Sequence, residues 1–396
     1  MKRQARPGVT GLRGRPQAVD HSNMRSPRTI IEDTGWGNLH HAYAAASDTP
    51  ARLLHLLSED PERAGDALAY IDAVLLHQGS MYSATAPAAE FVAAILDDPR
   101  TLVQCESALP WDERSRSLRA GLLEWLGKVA ESAAWGEPAE VDVSTADAAD
   151  DHDDAQELRA AQACRAVRGY VHAAVEKFLD DTDASVRQGA IGAMTHLLAA
   201  PELAHRRAHT AERLMDSVAE MSAAERAAVA LSIGSWGIPP LALLADERPE
   251  VRGCAALSRA LDDVPASLEE IRAALRDPRA ADAWFGEDRP PQLDGQVRFF
   301  LVQALLRRTR TFAEVADAAV AVAQMTNAYT VDFDWGPLLE RAFAGAQQGQ
   351  LSAAQRRFLS ALVDNDECWG NIANPMIWFG KAGLPAEREA LRAMLT

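Results

Sequence analysis

Leu179-Asp-Asp-Thr-Asp-Ala-Ser-Val186-Arg187 aligns without a gap on Leu244-Ala-Asp-Glu-Arg-Pro-Glu-Val251-Arg252. In both stretches an apolar run ends in leucine, an acidic turn follows, and Val-Arg opens a second amphipathic segment. Shorter forms of the same turn stand at Leu57-Ser-Glu-Asp-Pro-Glu-Arg63, Leu96-Asp-Asp-Pro-Arg100 and Leu275-Arg-Asp-Pro-Arg279. A turn that recurs between helical segments marks a repeat array, whose units bury their apolar faces against neighbours.

The segments on either side of these turns read as helices. Val297, Phe300, Leu301, Ala304 and Leu305 fall on one helical face, as do Phe312, Val315, Ala316, Ala319, Val322 and Ala323. Capping boxes are expected at Ser222–Glu225, Ser267–Glu270, Thr311–Glu314 and Ser352–Gln355, where two side chains satisfy each other's free backbone donors. Asp48-Thr49-Pro50 and Thr85-Ala86-Pro87 set a capping oxygen before a first-turn proline. Alternation of period two is nearly absent, with Thr330–Asp334 the one short strand candidate. The expected fold class is all-α, an α-solenoid of antiparallel helix pairs.

Bulk composition agrees with packed helices. Of 396 residues, 48% are hydrophobic but only 6% aromatic, so alanine and leucine supply the apolar surface. Alanine costs a helix least and lets neighbours approach closely. A net charge of −17 opposes general attraction to a phosphate backbone, so nucleic acid is not the expected partner. Cys105, Cys164, Cys254 and Cys368 lack the short spacings of a disulfide framework or zinc site, which points to reduced thiols in the cytoplasm. No apolar run is long enough to span a membrane.

Four divisions follow. Residues 1–28 carry seven Lys and Arg against Asp20 alone and read as a disordered basic tail, with Met24 a candidate natural start. Residues 29–136 and 158–396 are expected to hold the helix pairs. Between them, residues 137–157 carry nine acidic residues and no Lys or Arg, so self-repulsion predicts a mobile linker.

The turns resemble those of HEAT repeats, which pair two helices per unit of about 40–47 residues and would fit about seven or eight times into this chain. Trp36-Gly-Asn-Leu-His40-His41-Ala-Tyr43, Ala46-Ser-Asp48-Thr-Pro50 and His77-Gln78-Gly79-Ser-Met-Tyr82-Ser-Ala-Thr85-Ala-Pro87 resemble a family of bacterial, chiefly actinobacterial, HEAT-repeat proteins of mostly unassigned function. Trp378-Phe-Gly-Lys-Ala-Gly-Leu384-Pro385-Ala-Glu-Arg388 is similar in kind. The resemblance implies an armadillo-like fold and a protein-interaction role, one form of which is an immunity-type partner of a toxin.

Candidate partner-binding residues fall into two groups. Trp36, His40, Tyr43, His77, Gln78 and Tyr82 gather imidazole, phenol, amide and indole groups in a short stretch. Against this stands a structural role for each, with Gly79 as a helix C′ residue, His77 at a helix end and Thr85 as a cap. Arg259, Arg307 and Arg308 lie on second helices (Val186–Leu198, Val251–Leu261, Val297–Arg308) that would line a concave face and select a protein partner. Arg187 and Arg252 are expected to be structural, reaching carbonyls and carboxylates, with Asp180 or Asp181 and Asp246 as acceptors.

Trp36, Trp135, Trp236, Trp335 and Trp369 each precede glycine, which suits stapling of helix starts or, alternatively, a tryptophan-lined groove. Phosphate loops, a nucleophile elbow and His-Glu dyads are missing from the sequence, so neither catalysis nor any metal or cofactor is expected. The alternative function is a HEAT-type nucleic-acid-binding or DNA-repair protein, whose local basic surface would come from Arg114-Arg116-Arg119, Arg206-Arg207 and Arg307-Arg308-Arg310.

Overall fold

The computed structural model describes residues 25–106, 115–134, 152–344, 351–370 and 372–395. It is all-α, with 69% helix and 2% strand. Helices α1 (Pro27–Asp33), α2 (Thr49–His55), α3 (Pro61–Val74) and α4 (Thr85–Ile95) precede a short antiparallel ladder of β1 (Gln104–Glu106) and β2 (Ser115–Ser117). Next come α5 (Leu118–Ala133), α6 (His152–Ala166), α7 (Arg168–Val175), α8 (Ala184–Leu197), α9 (Arg207–Ser217), α10 (Ala223–Ser235), α11 (Leu241–Leu244) and α12 (Pro249–Ala256). The chain continues through α13 (Pro265–Ala274), α14 (Pro278–Asp282), α15 (Val297–Arg308), α16 (Ala316–Ala323), α17 (Trp335–Phe343), α18 (Ala353–Asp364), α19 (Asn374–Lys381) and α20 (Arg388–Ala393). The strand candidate Thr330–Asp334 is a turn, and the ladder lies instead where Gln104 pairs with Ser117.

Helix α5 packs along α8, α8 along α10, and α10 along α12, while α4 packs on α7. Small residues make the closest of these approaches. A Cβ on Gly127 would come within 3.0 Å of the Ala193 backbone, and one on Gly189 within 3.0 Å of the Ala120 carbonyl. One continuous apolar core runs from Ile30 to Leu391.

The repeated turn has a repeated bond pattern. Arg187 donates through Nη1 to the carbonyls of Asp181 (2.7 Å) and Thr182 (3.1 Å), and through Nε to Glu225 of α10 (2.7 Å). Arg252 does the same to Asp246 (3.0 Å) and Glu247 (3.0 Å), and to Glu270 (3.0 Å). Arg226 joins them, reaching the Met221 carbonyl and the Asp246 carboxylate, both at 2.9 Å. The two expected arginines are therefore structural. Asp181 and Asp246 are acceptors as expected, through their carbonyls, Asp180 is not, and the carboxylate partners come from α10 and α13. The Asp180 carboxylate is held by Arg213.

Capping boxes form at Ser222–Glu225, Thr311–Glu314 and Ser352–Gln355. The fourth does not. Pro265 opens α13 earlier, so Ser267 lies inside the helix and donates to the Leu261 and Val264 carbonyls, while Glu270 serves Arg252. Asp48 and Thr85 also miss their capping roles. Asp48 accepts from Tyr70 (3.4 Å), and Thr85, the first residue of α4, donates to the Leu75 carbonyl (2.5 Å).

Two boundaries move. Helix α1 begins at Pro27, and Arg25 pairs with Glu90, so the end of the expected tail is ordered; residues 1–24 lie outside the described residues. Helix α6 begins at His152, which takes the last six residues of the expected acidic linker into a helix; 137–151 lie outside the described residues. Among the described residues, no helix is long and apolar enough to cross a membrane.

Candidate partner-binding site

The loop between α1 and α2 folds back on itself at His40–Ala45, where those two residues form an isolated antiparallel bridge. It is pinned from both sides. The Ala42 amide donates to the Val74 carbonyl at the end of α3 (3.1 Å), and the Ala84 amide beside α4 donates to the His40 carbonyl (3.1 Å). Ser83 Oγ accepts from the His40 amide (2.8 Å). A loop with its backbone so committed holds its tip residue rigidly, and that residue is Tyr43, 68% exposed.

His41 explains the loop's shape. Its Nδ1 accepts from the amides of Tyr43 (3.2 Å) and Ala44 (3.3 Å), so the proton sits on Nε2, which donates to Asp48 (3.2 Å). Both ring nitrogens are consumed, which leaves this His–Asp pair no lone pair with which to act as a general base. Asp48 and Thr49 in turn bind the Tyr70 hydroxyl, at 3.4 and 2.8 Å, and burial pushes that phenol up.

Around Tyr43 the structure gathers most of the sequence candidates. Its ring meets His77 edge-on with centroids 5.5 Å apart. His77 Nδ1 donates to the Ala73 carbonyl (3.0 Å), capping the last turn of α3. Gln78 is exposed and has φ +52°, in the left-handed region that a side chain rarely enters. Tyr82 is half-buried; burial raises its pKa, with the Glu157 carboxylate of α6 and Tyr43 adding to the shift. His40 is exposed. Gly79 is not the C′ residue of α3, which ends at Val74; its φ of +85° serves the 3-10 turn His77–Gly79 instead.

Trp36 leaves the candidate set. It is buried, and its Nε1 donates to the Ile31 carbonyl at the end of α1 (3.2 Å). The other glycine-preceding indoles are also spent on carbonyls: Trp236 on Thr195 (3.1 Å), Trp335 on Asn327 (3.0 Å) and Trp369 on Leu362 (2.9 Å). These rings staple helices, as the structural reading expects. Trp135 lies outside the described residues.

The arginine group divides. Arg259 is exposed at the start of a 3-10 turn. Arg307 grips Asp262 with Nε (2.9 Å) and Nη2 (3.1 Å), and also binds the Leu257 carbonyl. The Arg308 side chain is 2% exposed, and its Nη2 donates to the carbonyls of Ala256 (2.6 Å) and Ser258 (2.8 Å) beyond α12. Burial lowers its pKa. Both arginines close the end of α12 and are not available to select a partner. Most other arginines of the basic alternative are engaged too: Arg116 with Glu124, Arg119 with Thr101 and Asp98, Arg206 with Glu176, and Arg207 with the Leu198 and Ala199 carbonyls, whereas Arg310 is exposed. Arg114 lies outside the described residues.

One spacing passed over in the sequence is His205-Arg-Arg-Ala-His209, the i,i+4 arrangement that suits two metal ligands on a helix. Here His205 lies in the 3-10 turn before α9, with Nδ1 on the Glu202 carbonyl (3.0 Å), and among the described residues no three His, Cys, Asp or Glu converge. A cleft of about 170 Å³ between α12, α13 and α14 is bordered by Trp284 and by the Arg252–Glu270 pair, already closed on itself. The four cysteines are buried free thiols, and burial pushes Cys164 and Cys368 up to about 12. Compared with known proteins, the chain is matched by no family model, no curated protein and no solved structure.

Proposed function

We propose that the helix pairs are HEAT-type units stacked as a solenoid, and that the chain is a non-enzymatic scaffold or regulator that binds a protein partner. An immunity-type partner of a toxin is one form of that role. The repeated Arg187 and Arg252 turns and the succession of α5, α8, α10 and α12 support the HEAT-type reading. Buried, unreactive thiols favour a reducing compartment such as the cytoplasm.

The observation that carries the binding role is the division of labour among polar side chains. The ring of His41 is consumed by two backbone amides and a carboxylate, and most of the clustered arginines by carbonyls and carboxylates, whereas Tyr43 and His40 on the pinned α1–α2 loop and Gln78 on the neighbouring His77–Gly79 turn are presented to solvent. A preorganised, exposed tyrosine is a typical interface anchor, because it adds contact area with little entropy to lose. A nucleic-acid reading needs free guanidinium groups, and few of the expected ones remain.

The test is affinity capture from the native host, mass spectrometry of what stays bound, and titration of the identified protein against wild type and Tyr43→Ala. The exposed substitution should leave melting within about 0.5 kcal/mol of wild type while weakening the partner about tenfold or more. Equal affinity removes the Tyr43 loop as the site. Retention of nucleic acid in place of protein overturns the reading.

A further inference from the structure

The segment joining α14 to α15 does not loop into solvent. It doubles back across α8 and α10, elements some 60–100 positions earlier in the chain. Gln188 of α8 donates to the Asp288 carbonyl (2.9 Å). Pro291 fills the space over Gly192, where a Cβ would come within 2.9 Å of the proline ring. The Gln292 carboxamide then reaches between the helices, its Nε2 lying 3.0 Å from Thr195 Oγ1, 3.1 Å from the Ala228 carbonyl and 3.1 Å from Ser232 Oγ. Pro290 and Leu293 are buried beside it.

Three features separate this segment from an ordinary connection. It is bracketed by Gly286 (φ +53°) and Gly295 (φ +101°), two left-handed positions at which the chain turns onto and off the helices. It keeps its own shape, because Arg289 Nη1 donates to the Gly295 carbonyl (2.5 Å). Its fit is also imperfect: three acceptors compete for the two hydrogens of Gln292 Nε2, and the buried Oε1 meets no protein donor. A buried carbonyl oxygen without a donor weakens the hold of the group that carries it.

The groove itself reads like a peptide site. A stripe of Gln188, Gly192 and Thr195 on α8 faces Ala228 and Ser232 on α10, with small residues admitting the proline turn and hydroxyls capturing one carboxamide. We propose that Gly286–Gly295 is a hinged strap occupying, in cis, a groove of α8 and α10 that takes a Pro-Pro-Gln turn of the protein partner; in the strap itself the Leu293 amide closes that turn on the Pro290 carbonyl (3.0 Å). The proposal rests on the protein-binding reading above and adds its ligand chemistry and its control. A tethered strap competes at an effective concentration of the order of mM, so a ligand in trans binds only in proportion to the open population.

The experiment uses the full chain and a labelled peptide of the strap's own sequence, residues 286–295, followed by fluorescence anisotropy. In the release variant Pro291→Gly/Gln292→Ala the groove is untouched, and the peptide should bind about tenfold or more tighter than to wild type. A peptide with alanine in place of its glutamine should lose that gain, as should Thr195→Val in the release background. A release variant with wild-type helicity that binds no better than wild type overturns the proposal. So does a concentration-dependent dimer, which would assign the groove to the strap of a second copy.

Amide exchange on the wild type keeps the idea testable even if the variant fails to fold. Asp288, Arg289, Gln292 and Leu293 should exchange through an opening that leaves α8 and α10 protected. Exchange of these amides only with global unfolding makes the strap a fixed part of the core and refutes it. Because the probe is the chain's own peptide, its failure leaves the Tyr43 test of protein binding standing.

Discussion

Arg187→Met and Arg252→Met remove the same guanidinium from the same turn, yet they should differ in cost by about 2 kcal/mol because their acceptors differ in burial. Glu225, the partner of Arg187, has a side chain only 3% exposed. Its Oε2 accepts from the Ser222 amide (2.9 Å) in the capping box, and its Oε1 depends on Arg187 Nε (2.7 Å). Methionine keeps much of the aliphatic stem but strands that carboxylate and frees the Asp181 and Thr182 carbonyls. Breaking a fully buried pair costs about 3–5 kcal/mol, and the partial exposure of Arg187 puts the expectation near 3 kcal/mol. Glu270, the partner of Arg252, is 28% exposed, so water takes over much of what the guanidinium supplied. That pair should cost about 1 kcal/mol.

The assay is guanidinium denaturation followed by circular dichroism and tryptophan fluorescence, with amide exchange locating the loss to α8 and α10. Two probes are needed because a helical chain of this length need not unfold in one step. Glu225→Gln supplies the cycle: its amide keeps the shape and an acceptor for Ser222, and the double variant should recover about 2 kcal/mol of the summed single costs. Equal costs for the two arginines, or no coupling between Arg187 and Glu225, would refute the burial reasoning.

Charge reversal should separate the remaining arginine candidates: Arg259→Glu changes stability by no more than about 0.5 kcal/mol. Arg308→Glu sets a carboxylate against Asp262 and the α12 carbonyls and should cost about 3 kcal/mol or more in thermal or chemical melting. Acid should find His172. Burial pushes its imidazole down from 6.5 to about 4, with Arg206 and His205 also lowering it and Glu176 opposing them. Between those pH values the unfolded chain binds the extra proton, so stability falls as pH drops through the window, by up to about 3 kcal/mol. His172→Gln should flatten that slope in urea melts at pH 4–7, and an unchanged slope would place the acid sensitivity elsewhere.

Three helix starts were legible from local capping boxes, although Asp48 and Thr85, equally local, cap nothing. Ser222, Thr311 and Ser352 make their boxes because both partners lie within four residues and no proline competes. Ser267 failed for the opposite reason: Pro265 begins α13 first, and Glu270 is recruited by Arg252 from another helix. The same distance effect hid the fate of Arg307 and Arg308. A basic run reads as a solvated surface until Asp262, some 45 positions earlier, is brought beneath it. The Tyr43 loop was partly legible, since its aromatic and imidazole groups are close in sequence. What fixes it, the pinning of the loop by Val74 and Ala84 and the capture of His41 by Asp48, arises only in three dimensions.

The expectation that second helices offer a concave recognition face changes character in the folded chain. Helix α15 turns its last two arginines onto α12, and α8 is covered by the Pro291–Gln292 strap. The two proposed surfaces, the open Tyr43 loop and the strapped groove of α8 and α10, are therefore separable. They differ in chemistry as well as access. The loop and the neighbouring His77–Gly79 turn offer aromatic area and one left-handed glutamine, and the His41–Asp48 pair there is closed on itself, so salt should hardly affect binding. The groove offers hydroxyls and a small-residue floor beneath a competitor of the same chain, so its affinity should follow the open fraction of the strap. Tyr43→Ala and Pro291→Gly/Gln292→Ala thus act on different equilibria. If one partner uses both surfaces their effects will be opposite in sign: the first weakens binding, while the second strengthens it.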